Sequence, residues 1–168
     1  MSHDINNLVD SVVERVLSET QTRPRAPHTP LARMTLAAAR ELIGAVEKKA
    51  AEMGVKAVVA VADAGGNTIA VECMDDAFLA SYDIAVNKAY TVTALKMPTS
   101  QLASLAAPGG SLYGIQFTNN GRIVIFGGGE PLMRGTSVLG GLGVSGGTAE
   151  EDTALGAYGR QYFESRIL

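Results

Sequence analysis

At 168 residues the chain is one domain of ordinary size, able to bury about 70% of its unfolded surface and needing no staples to fold. Its composition is 46% hydrophobic but only 5% aromatic, without tryptophan, so the core must be built from Ala, Val, Leu and Ile. A net charge of −3 with no basic cluster argues against nucleic acid as a partner, and the single cysteine, Cys73, excludes an internal disulfide and suits a reducing, cytoplasmic compartment.

Residues 5 to 17 place Ile5, Leu8, Val9, Val12, Val13, Val16 and Leu17 on one stripe of a helix, with Asp4 as its N-cap. A helix this short is marginal alone in water, so the stripe must dock on something. Pro24, Pro27 and Pro30 then stiffen an extended spacer that runs to Arg33. The expected organisation is an amphipathic helix over 1–19, a proline-rich linker over 20–33 and a folded domain over 34–168. No run of about 18 apolar residues exists, so no membrane span is expected. The N-terminus also lacks the basic stretch followed by an apolar one that marks a secretion signal.

In the domain, Thr35 caps a helix with the stripe Leu36, Ala39, Ile43, Val46, Ala50 and Met53, ended by Gly54. Lys56 to Ala62 reads as a central strand, because it is almost wholly apolar. Asp63 to Asn67 is a hairpin loop, and Thr68 to Cys73 returns as its partner. The period becomes helical from Leu79 to Lys96. Pro98 stops that helix, and Thr99 caps a short one through Leu105.

Thirteen of the nineteen glycines lie between Gly109 and Gly147, where they punctuate three apolar runs: Ile123 to Phe126, Leu132 to Arg134 and Val138 to Ser145. This pattern predicts a three-strand meander. Gly140, Gly141 and Gly143 weaken the last strand unless a helix, another subunit or a ligand packs close to its backbone. Thr148 and Glu151 form a capping box that opens a terminal helix to about Ser165. Strand runs flanked by helices indicate an α+β fold on an antiparallel sheet.

Five blocks in one order carry a family resemblance: Val59 to Gly66, Ala85 to Thr91 around Lys88, Met97-Pro98-Thr99, Arg122 to Gly129, and Gly143 to Thr148. Together they resemble the GlcG/HbpS/PduO C-terminal domain family over roughly residues 34 to 165. The resemblance implies a profilin-like five-stranded antiparallel sheet of order 2-1-5-4-3, flanked by helices. It also implies binding of haem, a related tetrapyrrole or a corrinoid-related cofactor, and assembly into a homo-oligomer. The adenosyltransferase domain that accompanies the PduO member is absent, so that activity does not carry over. Residues 8 to 17 resemble the encapsulation peptides that carry cargo into bacterial microcompartments, which implies shell or cargo proteins as partners of residues 5–17.

Conventional catalytic sets are missing. The only histidines, His3 and His28, lie outside the domain, and neither zinc spacing nor a phosphate-binding glycine loop between strand and helix is present. Ser145, Gly146, Gly147 and Thr148 precede a helix, whose free N–H groups suit a carboxylate or phosphate. Lys88, among apolar neighbours, points either to an anion in a cleft or to a pair with Asp63, Asp83 or Glu130, or it snorkels at the surface. Glu72, Asp75 and Asp76 form an acidic set able to take a hard cation weakly, or else a solvated loop.

Haem iron takes His, Met, Cys or Tyr. Many members of the family resembled carry His after the Asp-Ala-Gly-Gly turn, where this chain has Asn67. His28 is then the axial candidate, with Met34, Met74, Cys73 and Tyr113 behind it. The leading expectation is a non-catalytic accessory cargo protein of a bacterial microcompartment that binds haem, a corrinoid-related cofactor or a small metabolite. The alternatives are a small enzyme acting on a carboxylate or aldehyde metabolite, whose anion would sit on Ser145 to Thr148 and Lys88 with Asp63, Glu130 or Tyr113 as acid or base, and a structural oligomeric interaction protein.

Overall fold

The computed structural model describes residues 31–168. The amphipathic helix expected over residues 5–17, most of the linker and His28 lie outside them. Helix α1 (Leu36–Met53) begins where Thr35 Oγ1 accepts the Ala38 N–H at 3.2 Å. It ends at Gly54, whose φ of 74° lets its N–H return to the carbonyls of Ala50 and Ala51. Strand β1 (Val58–Asp63) is buried almost throughout and pairs with β2 (Thr68–Cys73) across the expected hairpin. Helix α2 (Leu79–Leu95) and the short α3 (Thr99–Ala106) follow. A loop with two 3₁₀ turns, Ile115–Phe117 and Asn119–Gly121, leads to β3 (Gly129–Arg134) and β4 (Ser137–Ser145). Helix α4 (Ala149–Tyr162) runs into a π-helical turn at Phe163–Ile167.

The sheet has four antiparallel strands in the order β2-β1-β4-β3. This corrects the five-stranded expectation. The order is the one implied by the family resemblance with its terminal member missing, because Ile123 to Phe126 forms no strand. Ile123 and Val124 are buried, as their hydrophobicity predicts. The Val124 N–H, however, donates to Thr91 Oγ1 on α2 at 3.0 Å rather than to a neighbouring strand. Thr91 in turn donates to the carbonyls of Asn87 and Arg122. A helix side chain therefore takes the place of a strand partner. β3 becomes the sheet edge, which is where Pro131, lacking an N–H, is tolerated. Thr99 also departs from expectation. Pro98 occupies the N-cap of α3, and the Thr99 hydroxyl instead accepts the Gly129 N–H at 2.8 Å.

Alternation along the strands divides the core into two layers. Val59, Val61, Leu142 and Val144 face α1 and α4, packing with Leu42, Ile43, Val46, Leu155 and Phe163. Val58, Ala60 and Ala62 face α2, meeting Ala85 and Ala89. On the α2 side, β4 presents Gly141 and Gly143 instead of side chains. A Cβ at Gly141 would collide with the Ala89 carbonyl, and one at Gly143 with the Ala85 carbonyl. The close neighbour that these glycines call for is thus α2 itself. Helix backbone lies almost directly on strand backbone, and that places Lys88 within reach of the far end of β4.

Candidate functional site

Lys88 is fully buried in α2, and its Nζ donates to the Val144 carbonyl at 2.7 Å and to Asp152 Oδ2 at 2.8 Å. The Phe126 ring lies under the ammonium, with its centroid 4.9 Å from Nζ. The opposing carboxylate is Asp152, in the first turn of α4. None of the partners expected from sequence, Asp63, Asp83 or Glu130, fills this role. Burial pushes the Lys88 ammonium below the usual lysine range, and the Asp152 charge and hydrogen bond pull it partly back. Gly128 makes room for the arrangement. At φ 110° a side chain would be strained, and a Cβ would lie 2.7 Å from Lys88 Nζ and 2.6 Å from the Val144 oxygen.

The residues from Ser145 to Thr148 meet Lys88 at this end of the sheet, and several of their polar groups already have partners. Gly147 N–H donates to Asp152 Oδ1 at 2.9 Å, and Thr148 N–H donates to Glu151 Oε2 at 2.8 Å. Thr148 Oγ1 accepts from Glu151 N–H at 3.2 Å, which completes the expected capping box. Ser145 is buried, its hydroxyl 3.2 Å from that of Ser81 on α2. A Cβ on Gly146 would collide with the Lys56 carbonyl. This junction joins α2, β4 and α4 by charge and hydrogen bonding.

The other sequence candidates lie elsewhere. Val58 pairs with Ser145 and Asp63 with Gly140, so Asp63 and Ser145 mark opposite ends of the sheet, about 17 Å apart along the strand. One Asp63 oxygen accepts from the N–H groups of Gly65 and Asn67 at 2.8 and 2.9 Å, and the Asn67 amide reaches both oxygens at 3.2 Å. These bonds, that from Asn67 N–H foremost, hold the Asp63 carboxyl below its usual range. Asn67 is therefore committed to shaping the hairpin. Glu130, on β3, faces Arg160 of α4 at 3.2 Å, and burial raises its carboxyl above the usual range despite that pairing. Tyr113 is exposed in the loop after α3.

Among the described residues no cluster of His, Cys, Asp and Glu has metal-binding geometry, and Asp76 instead pairs with Lys56 at 2.9 Å. A cavity of about 700 Å³ between α1 and the end of β2 is lined in part by Glu47, Lys48, Lys56, Cys73 and Met74. A second, of about 470 Å³, lies between the start of α1 and the hairpin, with Arg33, Met34, Asp63, Ile69 and Leu139 among its walls. No helix among the described residues is long and apolar enough to cross a membrane. Sequence reasoning missed Asp152, whose one signal was its place in an acidic first turn beside the capping box.

A family model described as haem degrading protein HbpS-like matches residues 34–161. A 15.0 kDa Citrobacter freundii protein from the dhaT-dhaS intergenic region is 51% identical over 125 residues, covering 74% of this chain and 88% of that one. The corrinoid adenosyltransferase PduO of Citrobacter freundii is 37% identical over 147 residues. That match takes in 88% of this chain but 43% of PduO, so the chain spans less than half of that relative. A solved PduOC–haem complex superimposes with a TM-score of 0.74 at 34% identity, covering 77% of this chain and 94% of the other.

The buried pair makes a double-mutant prediction. Lys88→Met leaves the Asp152 charge uncompensated and should cost about 3–5 kcal/mol of unfolding free energy. Adding Asp152→Asn, which keeps an oxygen for Gly147 N–H, should recover part of that loss. Urea titration of both single variants and the double variant reads the coupling. Strict additivity would show that the pair contributes no interaction of its own.

Proposed function

We propose that this chain, which belongs to the HbpS-like family, binds haem or a related tetrapyrrole as a non-catalytic accessory protein carried into a bacterial microcompartment. The observation that carries the haem reading is the likeness, over most of the domain, to a structure solved with haem. The candidate place for such a group is the cavity between α1 and the end of β2. Its volume of about 700 Å³ is in the range of small-molecule sites. Cys73, exposed there, offers a soft ligand to iron. Lys48, which has no ion-pair partner among the described residues, offers a cation for a carboxylate substituent. Met74 is less available, since its sulfur accepts the Ala57 N–H at 3.4 Å. Haem would supply redox-active iron. Cys73 would ligate that iron and Lys48 would neutralise a carboxylate substituent. His28 is the second axial candidate, on sequence grounds alone.

Assembly into a homo-oligomer belongs to the same reading. At the start of α2, beside the edge strand β2, Phe78 is 71% exposed, Leu79 95% and Tyr82 51%. Neighbouring apolar side chains left in water beside a free strand edge suit a second copy. Leu79→Asp should lower the mass measured by sedimentation. An unchanged mass would place the contact elsewhere.

Hemin titration tests the ligand. One equivalent should produce a shifted Soret band in the wild type, and the band should weaken in Cys73→Ala or in His28→Ala, according to which residue ligates the iron. No shift at equimolar hemin would remove the haem reading. Targeting is tested separately by fusing residues 1–22 to a fluorescent protein in cells that make a microcompartment shell. Punctate signal is expected, and diffuse fluorescence would remove the cargo reading.

A further inference from the structure

Arg122 follows the second 3₁₀ turn and carries a guanidinium held in two ways on a pinned backbone. Its carbonyl accepts from Thr91 Oγ1 at 3.2 Å, which pins the backbone to α2. Its Nε donates to Asn87 Oδ1 at 3.3 Å, and Asn87 is itself held by a bond from its amide to Asp83 at 3.2 Å. Its guanidinium carbon lies 3.7 Å from the centroid of the Tyr90 ring, in stacking contact. The ring is positioned in turn. Asn119 Nδ2 donates to the Tyr90 hydroxyl at 3.2 Å, and Cδ2 sits where a Cβ on Gly66 would come within 3.0 Å. Asn119 and Asn120 both take left-handed backbone, at φ 52° and 57°, which is uncommon for residues other than glycine and recurs at functional sites.

What this arrangement lacks is an anion. No carboxylate among the described residues forms an ion pair with Arg122. Asp63, in the neighbouring hairpin, is occupied by Gly65 and Asn67, and Asp83 bonds Asn87. Both terminal guanidinium nitrogens and the Tyr90 hydroxyl proton have no acceptor among the described residues. An exposed arginine without a partner is usually a waving side chain. Arg122 is half-buried and already ordered, so little rotamer freedom is lost when a ligand arrives.

We propose that Arg122, Tyr90 and Asn119 form a binding site for a small carboxylate. The fork of Arg122 takes both carboxylate oxygens in its plane, and the Tyr90 hydroxyl donates to one of them. The site is separate from the cavity beside Cys73, so it stands or falls independently of haem.

Titration of ¹⁵N-labelled full-length protein with acetate, succinate and, as a separate arm, inorganic phosphate tests the assignment. Saturable amide shifts at Gly66, Asn119 and Arg122 are expected with the carboxylates. Affinity should fall by about tenfold or more in Arg122→Gln, the loss of a charged bidentate contact. Arg122→Lys keeps the charge without the fork and should bind more weakly than wild type. Tyr90→Phe keeps the stack, loses only the hydroxyl and should bind less tightly with an unchanged fold. Absence of saturable shifts in the wild type, undiminished affinity in both Arg122 variants, or saturation by phosphate alone would each overturn the carboxylate site.

Discussion

A lysine ammonium placed in the middle of a protein is expensive unless the chain supplies a charge and hydrogen-bond acceptors at fixed positions. Lys88 has both, in Asp152 and the Val144 carbonyl, and several other features of the fold follow from meeting that requirement. The ammonium reaches β4 because α2 lies close on the strand, and α2 lies close because positions 141 and 143 carry no side chain. A leucine at either position would lift the helix and withdraw the amine from its acceptors. Asp152 is held in turn, since its second oxygen accepts Gly147 N–H at the mouth of α4. Glycine content, helix seating and the ion pair are therefore one constraint seen from three sides. A pair of this kind adds little net stability relative to an apolar replacement, but it fixes how the elements meet.

Features set by neighbours in sequence were legible from the chain alone. The Thr35 cap, the Gly54 stop, the Asp63 to Asn67 hairpin and the Thr148–Glu151 box each depend on a few consecutive residues, and each is present. The apolar run ending at Ala62 was also legible as a central strand, and Val58 to Ala62 are buried in β1 between β2 and β4. The failure at Ile123 to Phe126 shows the limit of that signal. Hydrophobicity reports that a segment leaves water; it does not say which group will satisfy its N–H. A threonine on α2 did so, and a strand was lost. Lys88 failed in the same way. Its apolar neighbours were visible, but they left burial and snorkelling both open, the candidate partners were chosen by charge alone, and the true one lies 64 positions further along the chain.

The same reasoning explains why the candidate site was dispersed. Ser145 to Thr148 and Lys88 were grouped with Asp63 and Asn67 by chemistry, yet the β1–β4 register sends them to opposite ends of the sheet. At the Lys88 end, Asp152 accepts from both the ammonium and the Gly147 amide, the Val144 carbonyl takes a second ammonium proton, and Glu151 accepts the Thr148 amide. That closed network suits a mechanical joint.

At the hairpin end the balance is different. Asp63 is engaged by its own loop, and among the described residues neither the terminal guanidinium nitrogens of Arg122 nor the Tyr90 hydroxyl proton has an acceptor. Arg122 and Lys88 each carry one positive charge, and the two side chains differ in what surrounds them. One is buried with its counter-charge supplied from within the chain. The other is held by stacking and a hydrogen bond to Asn87, with no carboxylate against its charge among the described residues. In a chain of net charge −3, an ordered arginine with no carboxylate partner among the described residues is the feature most readily explained by a partner from outside.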